Sequence, residues 1–62
     1  MSVDEPTRES IAAEFPAWEP YESFSQPWAR LRGDPGVRVR GEDWMDLRDE
    51  IKRTAARMEE GL

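Results

Sequence analysis

The sequence contains no cysteine and no histidine. Without cysteine there can be no disulfide, and without either residue the common zinc ligand sets are excluded. Histidine is also the side chain that most often acts as a general base near neutral pH. Its absence argues against the usual acid–base mechanisms and against catalytic triads that contain histidine. The composition therefore predicts a protein that is not an enzyme and that has no cofactor and no metal.

Long apolar runs are also missing. The longest uninterrupted one covers residues 11–13, far short of a membrane span. The first nine residues carry three acids and one base, which is the opposite of the charge that a signal peptide needs. We therefore expect a cytoplasmic protein with no membrane segment.

The chain has 62 residues, enough for one domain. A chain of this size buries only about 60% of the surface that its unfolded form exposes, so small domains usually need a disulfide, a metal or a partner. Because the first two are excluded, we expect a protein partner or a second copy. The isolated chain is then expected to be a dimer or only marginally stable.

The net charge of −5 is unevenly distributed. Residues 1–27 and 41–62 are both acidic, whereas residues 28–40 contain four arginines and a single aspartate. An acidic protein therefore has a basic middle, and this asymmetry is its most informative charge feature.

The first half of the chain predicts a short helix and a strand. Residues 1–6 are polar and aperiodic and are expected to be disordered, leaving residues 7–62 as one domain. Thr7 suits the N-cap of a helix through Glu14, which Pro16 should end. The aromatic segment 18–24 predicts a strand, which Pro20 confines to a sheet edge, and residues 25–27 predict a turn.

The basic middle predicts two further strands. Residues 28–32 and 37–40 alternate between apolar and polar side chains, with turn-forming residues between them. Placing every apolar side chain on one face requires a loop over residues 32–36. The antiparallel partners are then Leu31 and Val37, Ala29 and Val39, Arg30 and Arg38, and Trp28 and Arg40.

Residues 43–60 change to helical periodicity. One stripe of this helix contains Trp44, Leu47, Ile51, Ala55 and Met58, at spacings of three and four residues. The predicted fold class is therefore α+β: a short N-terminal helix, then a three-stranded antiparallel meander covered by one long C-terminal amphipathic helix.

Several short motifs resemble known proteins. The segments Phe15-Pro16-Ala17-Trp18, 28–30, 37–40 and 47–51 are similar to a group of short, mostly uncharacterised actinobacterial proteins. That group typically has glycine where this chain has Ala17, and the resemblance implies no particular activity. The order strand, turn, strand, helix over residues 28–51 also resembles HicB-type antitoxin domains, which would imply an inhibitor of a small toxin.

The arginines Arg30, Arg32, Arg38 and Arg40, together with Trp28, form the candidate partner-binding site. A row of guanidinium groups beside an aromatic ring suits carboxylates, phosphates or stacked bases. The alternative is that these arginines only solvate the open face of a small sheet. We expect Trp18, Phe24 and Trp44 to build the core, whereas the register turns Trp28 outward.

The acidic residues of the long helix lack the spacing of a calcium loop and fit a solvated helix face. These features favour a non-catalytic protein-interaction or regulatory module, either binding a protein through the Arg/Trp face or self-associating. A nucleic-acid-binding accessory or transcription regulator is the alternative, although the negative total charge argues against it. An antitoxin-like inhibitor is the second alternative.

Overall fold

The computed structural model describes residues 6–60, so most of the segment expected to be disordered, residues 1–5, lies outside the described part, as do residues 61 and 62. Two helices flank three strands in the chain order predicted from the sequence. They are α1 (Arg8–Glu14), β1 (Trp18–Ser23), β2 (Gln26–Leu31), β3 (Asp34–Arg40) and α2 (Trp44–Glu60).

Helix α1 begins where the sequence predicts. Thr7 has an extended backbone, and its hydroxyl accepts a hydrogen bond from the Ser10 amide, while the Ser10 hydroxyl accepts one from the Thr7 amide. This capping box satisfies two of the amide groups that a helix N-terminus leaves unpaired. The helix ends at Glu14, shortly before Pro16, as expected.

Strands β1 and β2 form a hairpin with a two-residue turn at Phe24 and Ser25. Both turn residues have positive φ, 53° and 62°, because the tight turns that match strand twist need left-handed backbone at both central positions. The predicted turn at residues 25–27 is therefore wrong. The assignment of Phe24 to the core is wrong as well, because the turn leaves this ring 93% exposed.

The pairing of β2 with β3 confirms most of the predicted register. Ala29 lies opposite Val39, Arg30 opposite Arg38, and Trp28 opposite Arg40, as predicted. The expected partners Leu31 and Val37 and the loop over residues 32–36 are wrong. Leu31 instead lies opposite Asp34, because the register shifts at this point and residues 35–37 bulge out of the ladder.

Both helices pack on the same side of the sheet. α1 lies against β1, and α2 lies against β2 and β3. Among the described residues, the buried core between the two layers consists of five side chains: Ile11, Trp18, Ala29, Leu47 and Ile51. The predicted α+β fold class is confirmed, with the addition that α1 also contributes to the layer that covers the sheet.

The predicted stripe of α2 is correct over its first turns and fails at its end. Leu47 and Ile51 are buried and Trp44 packs against the core, whereas Met58 is 43% exposed. A helix of 17 residues is about 25 Å long, whereas a six-residue strand spans about 20 Å. The side chains of residues 56–59 are all exposed, so the last turn of α2 is not covered by the sheet.

An ion pair joins the two helices. The Nε of Arg48 donates to one Glu14 carboxylate oxygen at 2.6 Å, and its second guanidinium nitrogen donates to the other at 2.8 Å. These hydrogen bonds hold the pKa of Glu14 below its ordinary value of 4.5, against the opposing effect of desolvation. They also raise the pKa of Arg48.

The pKa of Glu14 predicts how stability depends on pH. Because the folded state binds this proton less tightly than the unfolded state, the pair stabilises the fold above about pH 4.5. That contribution is lost as the pH falls through the lowered folded-state pKa. Glu14→Gln is therefore expected to melt at a lower temperature than wild type at pH 7, and the difference should shrink below pH 4.

Thermal melts of both proteins between pH 7 and pH 3 check this prediction. Glu22→Gln is the control, because Glu22 is exposed on β1 and has no recorded ion pair within residues 6–60. A constant difference between Glu14→Gln and wild type over the whole range would show that the pair does not act through ionisation.

Candidate functional site

The sheet surface opposite the helices carries the candidate site. Because side chains alternate along a strand, burying Trp18, Ala29 and Val39 on the helix side turns their neighbours to the other side. We call this second surface the outer face. It consists of Glu19, Tyr21, Trp28, Arg30, Arg38 and Arg40.

Two aromatic rings lie at the centre of the outer face, between two guanidinium groups. Tyr21 and Trp28 are directly opposite in the β1–β2 ladder, and their rings stack with centroids 6.3 Å apart and planes 16° apart. The guanidinium carbon of Arg30 lies 5.4 Å from the centre of the Tyr21 ring, and that of Arg40 lies 5.5 Å from the Trp28 ring. The four side chains make a continuous cation–π row across the sheet.

Hydrogen bonds fix two members of this row. The indole Nε1 of Trp28 donates to the Ser23 carbonyl at 3.2 Å, which orients the ring within the hairpin. Arg30 donates to a Glu19 carboxylate oxygen at 2.6 Å, and Glu19 is its direct cross-strand neighbour. Although both partners stay about half exposed, the pair holds Arg30 in place over Tyr21.

The outer face keeps a positive charge that its own residues do not neutralise. Among the described residues that form the outer face, Glu19 is the single carboxylate, against the three guanidinium groups of Arg30, Arg38 and Arg40. Within residues 6–60, neither Arg38 nor Arg40 has a recorded ion pair. Arg38 lies directly opposite Arg30, an arrangement of like charges that is unfavourable without an anion nearby.

Four of the five predicted site residues lie in the strands of the outer face, and the fifth lies just beyond the end of β2. Trp28, Arg30, Arg38 and Arg40 occupy the outer face, whereas Arg32 lies in the turn between β2 and β3. Tyr21 and Glu19 were not among the predicted site residues. Alternation along β1 could have found them, because a buried Trp18 places both on the opposite face.

The arrangement suits carboxylate recognition. A guanidinium group binds a carboxylate through two parallel hydrogen bonds, and a stacked guanidinium loses little freedom on binding because it is already positioned. The aromatic rings supply apolar contact area beside the charges. Among residues 6–60, no group of three or more acidic side chains is placed where it could hold a metal ion.

The comparisons with known proteins find no matching family model, no matching curated protein and no matching solved structure. Neither helix of the described segment is long and apolar enough to cross a membrane.

Proposed function

We propose that this protein is a small, non-catalytic interaction module that binds an acidic region of a protein partner through its outer face. The observation that carries the proposal is the cation–π row Arg30–Tyr21–Trp28–Arg40, which presents fixed guanidinium groups beside exposed ring surface. Arginine and tryptophan are the residues that most often dominate interface energies. Arg32, placed in the neighbouring turn, extends the positive charge beyond the strands.

Charge distribution supports a protein partner over a nucleic acid. The outer face is basic, but the whole chain has a net charge of −5. The affinity of a protein for the phosphate backbone of a duplex depends on the protein's summed charge, so a negative net charge weakens that binding. A protein partner with a local acidic patch contacts only the outer face and avoids much of the acidic remainder.

The proposal predicts that two arginines of the outer face are needed for binding and not for folding. Arg30→Gln combined with Arg38→Gln is expected to change the free energy of unfolding by no more than about 1 kcal/mol, because both side chains are exposed. Capture of partner proteins from a lysate of the native host should fall at least about tenfold, as expected for the loss of charged interface hydrogen bonds. Quantitative mass spectrometry of the captured proteins and thermal melts of the same samples measure both effects.

The long helix offers a matched control. Arg53 is exposed and has one ion pair, with Glu50, and Arg57 is exposed, so Arg53→Gln combined with Arg57→Gln removes the same charge from another surface. This control should capture partners as wild type does. If the two double variants capture equally well, the outer face is only a solvated sheet surface. Capture of nucleic acid that weakens steeply as salt rises would favour the rival function.

A further inference from the structure

The two edges of the sheet differ in what their backbones offer to another strand. In an antiparallel pair, opposite residues alternate between those that bond to each other and those whose amide and carbonyl groups point away. The Gly41 amide donates to the Pro27 carbonyl at 3.1 Å, and this bond fixes the phase of the β2–β3 ladder. Ala29 and Val39 are then a bonded pair.

It follows that Arg38 and Arg40 direct their backbone amide and carbonyl groups away from β2, toward the open side of β3. Within residues 6–60, β3 pairs with β2 alone, and no hydrogen bond is recorded to these outward groups. The guanidinium groups of the same two residues lie on the adjoining outer face. The open edge of β3 therefore presents hydrogen-bonding backbone and positive charge at the same two positions.

The other edge of the sheet is blocked. The Arg32 amide donates to the Ala17 carbonyl at 2.9 Å, so Ala17 and Arg32 are a bonded pair of the β1–β2 ladder. By the same alternation, the backbone groups of Pro20, in the middle of β1, point away from β2 toward the open edge. Proline has no amide hydrogen, so β1 lacks a donor where an added strand would need one. In the described sheet, residues 18–40, the β3 edge is therefore the one with outward amide donors in the middle of its strand.

We propose that the β3 edge binds an extended acidic segment of the partner protein as a fourth, antiparallel strand. Residues of the added strand opposite Arg38 and Arg40 would share the outer face with them, which calls for aspartate or glutamate at alternate positions. The intervening residue would lie beside Val39 on the helix side, which calls for an apolar side chain. This inference rests on the proposed function and adds the conformation, polarity and spacing of the bound segment.

A second copy of the chain does not fit the same edge. Pairing β3 with β3 of another copy would bring Arg38 and Arg40 opposite their own counterparts, and like charges directly opposite are destabilising. Pairing β3 with β1 of another copy would place the outward backbone groups of β3 opposite Pro20, which has no amide hydrogen to donate. Charge complementarity therefore selects an acidic strand from a different protein.

The test uses a fluorescein-labelled octapeptide of alternating glutamate and valine, measured by fluorescence anisotropy against the full chain. In the proposed pairing the glutamate amides bond to β3 and the valine amides face solvent. N-methylation of the two central glutamates should therefore weaken binding about tenfold or more, because it removes two hydrogen bonds. N-methylation of the two central valines should change affinity less than about threefold. Arg38→Gln combined with Arg40→Gln should weaken binding of the unmodified peptide by about tenfold.

The outcomes separate this inference from the proposed function. If the peptide binds through Arg38 and Arg40 but both methylated peptides bind equally well, the outer face recognises carboxylates without strand addition, and this inference is overturned while the proposed function stands. If the peptide does not bind although host proteins are captured through the outer face, the acidic strand is the wrong partner. A labelled single-stranded DNA that binds where the peptide does not would overturn both.

Discussion

Ile51→Asp is expected to unfold the domain at room temperature. Ile51 is fully buried on the sheet side of α2, in an apolar core that includes no buried charged residue among residues 6–60. An unpaired carboxylate there costs several kcal/mol, since the core contains no cation to pair with it. At roughly 0.05–0.15 kcal/mol per residue, the whole stability of a domain of this size is about 3–9 kcal/mol. Loss of the helical circular dichroism signal and of a cooperative melt would show the effect.

Met58→Asp on the same helix is the control for this variant. Met58 lies in the exposed last turn of α2 and is itself 43% exposed, so a carboxylate there stays in water. Its effect on the free energy of unfolding should be about 0.5 kcal/mol or less. If Ile51→Asp melts at the wild-type temperature, the two-layer packing of α2 on the sheet is wrong.

The contrast between Ile51 and Met58 shows how far helical periodicity can be used. Spacings of three and four place Leu47 and Ile51 on one side of a helix, and a sheet with one apolar face must receive that side. The spacing of apolar residues along a helix gives no information on the length of the sheet that covers it, and that length decides where the buried stripe ends. Met58 continues the pattern in the sequence but is 43% exposed.

Most of the β2–β3 register was also predictable from periodicity, and the errors are confined to the two turns of the sheet. Keeping Ala29 and Val39 on one face already requires Arg30 opposite Arg38, so most of the outer face followed from alternation alone. The turn at Phe24 was not predictable, because a bulky residue with positive φ is unfavourable by itself. The hairpin imposes this conformation through the pairing of Ser23 with Gln26.

Contacts between distant segments were the least predictable part of the site and its support. The ion pair between Glu14 and Arg48 joins residues 34 positions apart, and neither helix alone indicates it. Tyr21 entered the site because it lies opposite Trp28, a pairing that depends on the unexpected turn. The Tyr21–Trp28 contact depends on the exact register of the β1–β2 hairpin, and the Glu14–Arg48 contact depends on how the two helices are placed. Composition and periodicity constrain only which side of an element is buried.

Gly41→Ala is expected to destabilise the domain by about 3 kcal/mol, near the upper end of what overpacking usually costs. Gly41 connects β3 to α2 and is buried, and a Cβ added to it would lie 2.4 Å from the backbone nitrogen and 2.7 Å from the Cα of Leu47. Those atoms belong to the helix backbone and cannot rotate away, so α2 would have to move as a body. Such a movement would pull the Leu47 side chain out of the core and strain the bond from the Gly41 amide to the Pro27 carbonyl.

Gly33→Ala separates this steric effect from the general consequence of replacing a glycine. No atom of residues 6–60 lies within 4 Å of a Cβ built on Gly33, and neither glycine has positive φ, so backbone conformation does not distinguish them. Gly33→Ala should therefore stay within about 0.5 kcal/mol of wild type, whereas Gly41→Ala should lower the melting temperature by about 15 °C. Equal melting temperatures for the two variants would mean that α2 does not approach the end of β3 as closely as the structure shows. Because Gly41 follows Arg40 directly, that result would also require the end of the proposed binding edge to be placed differently.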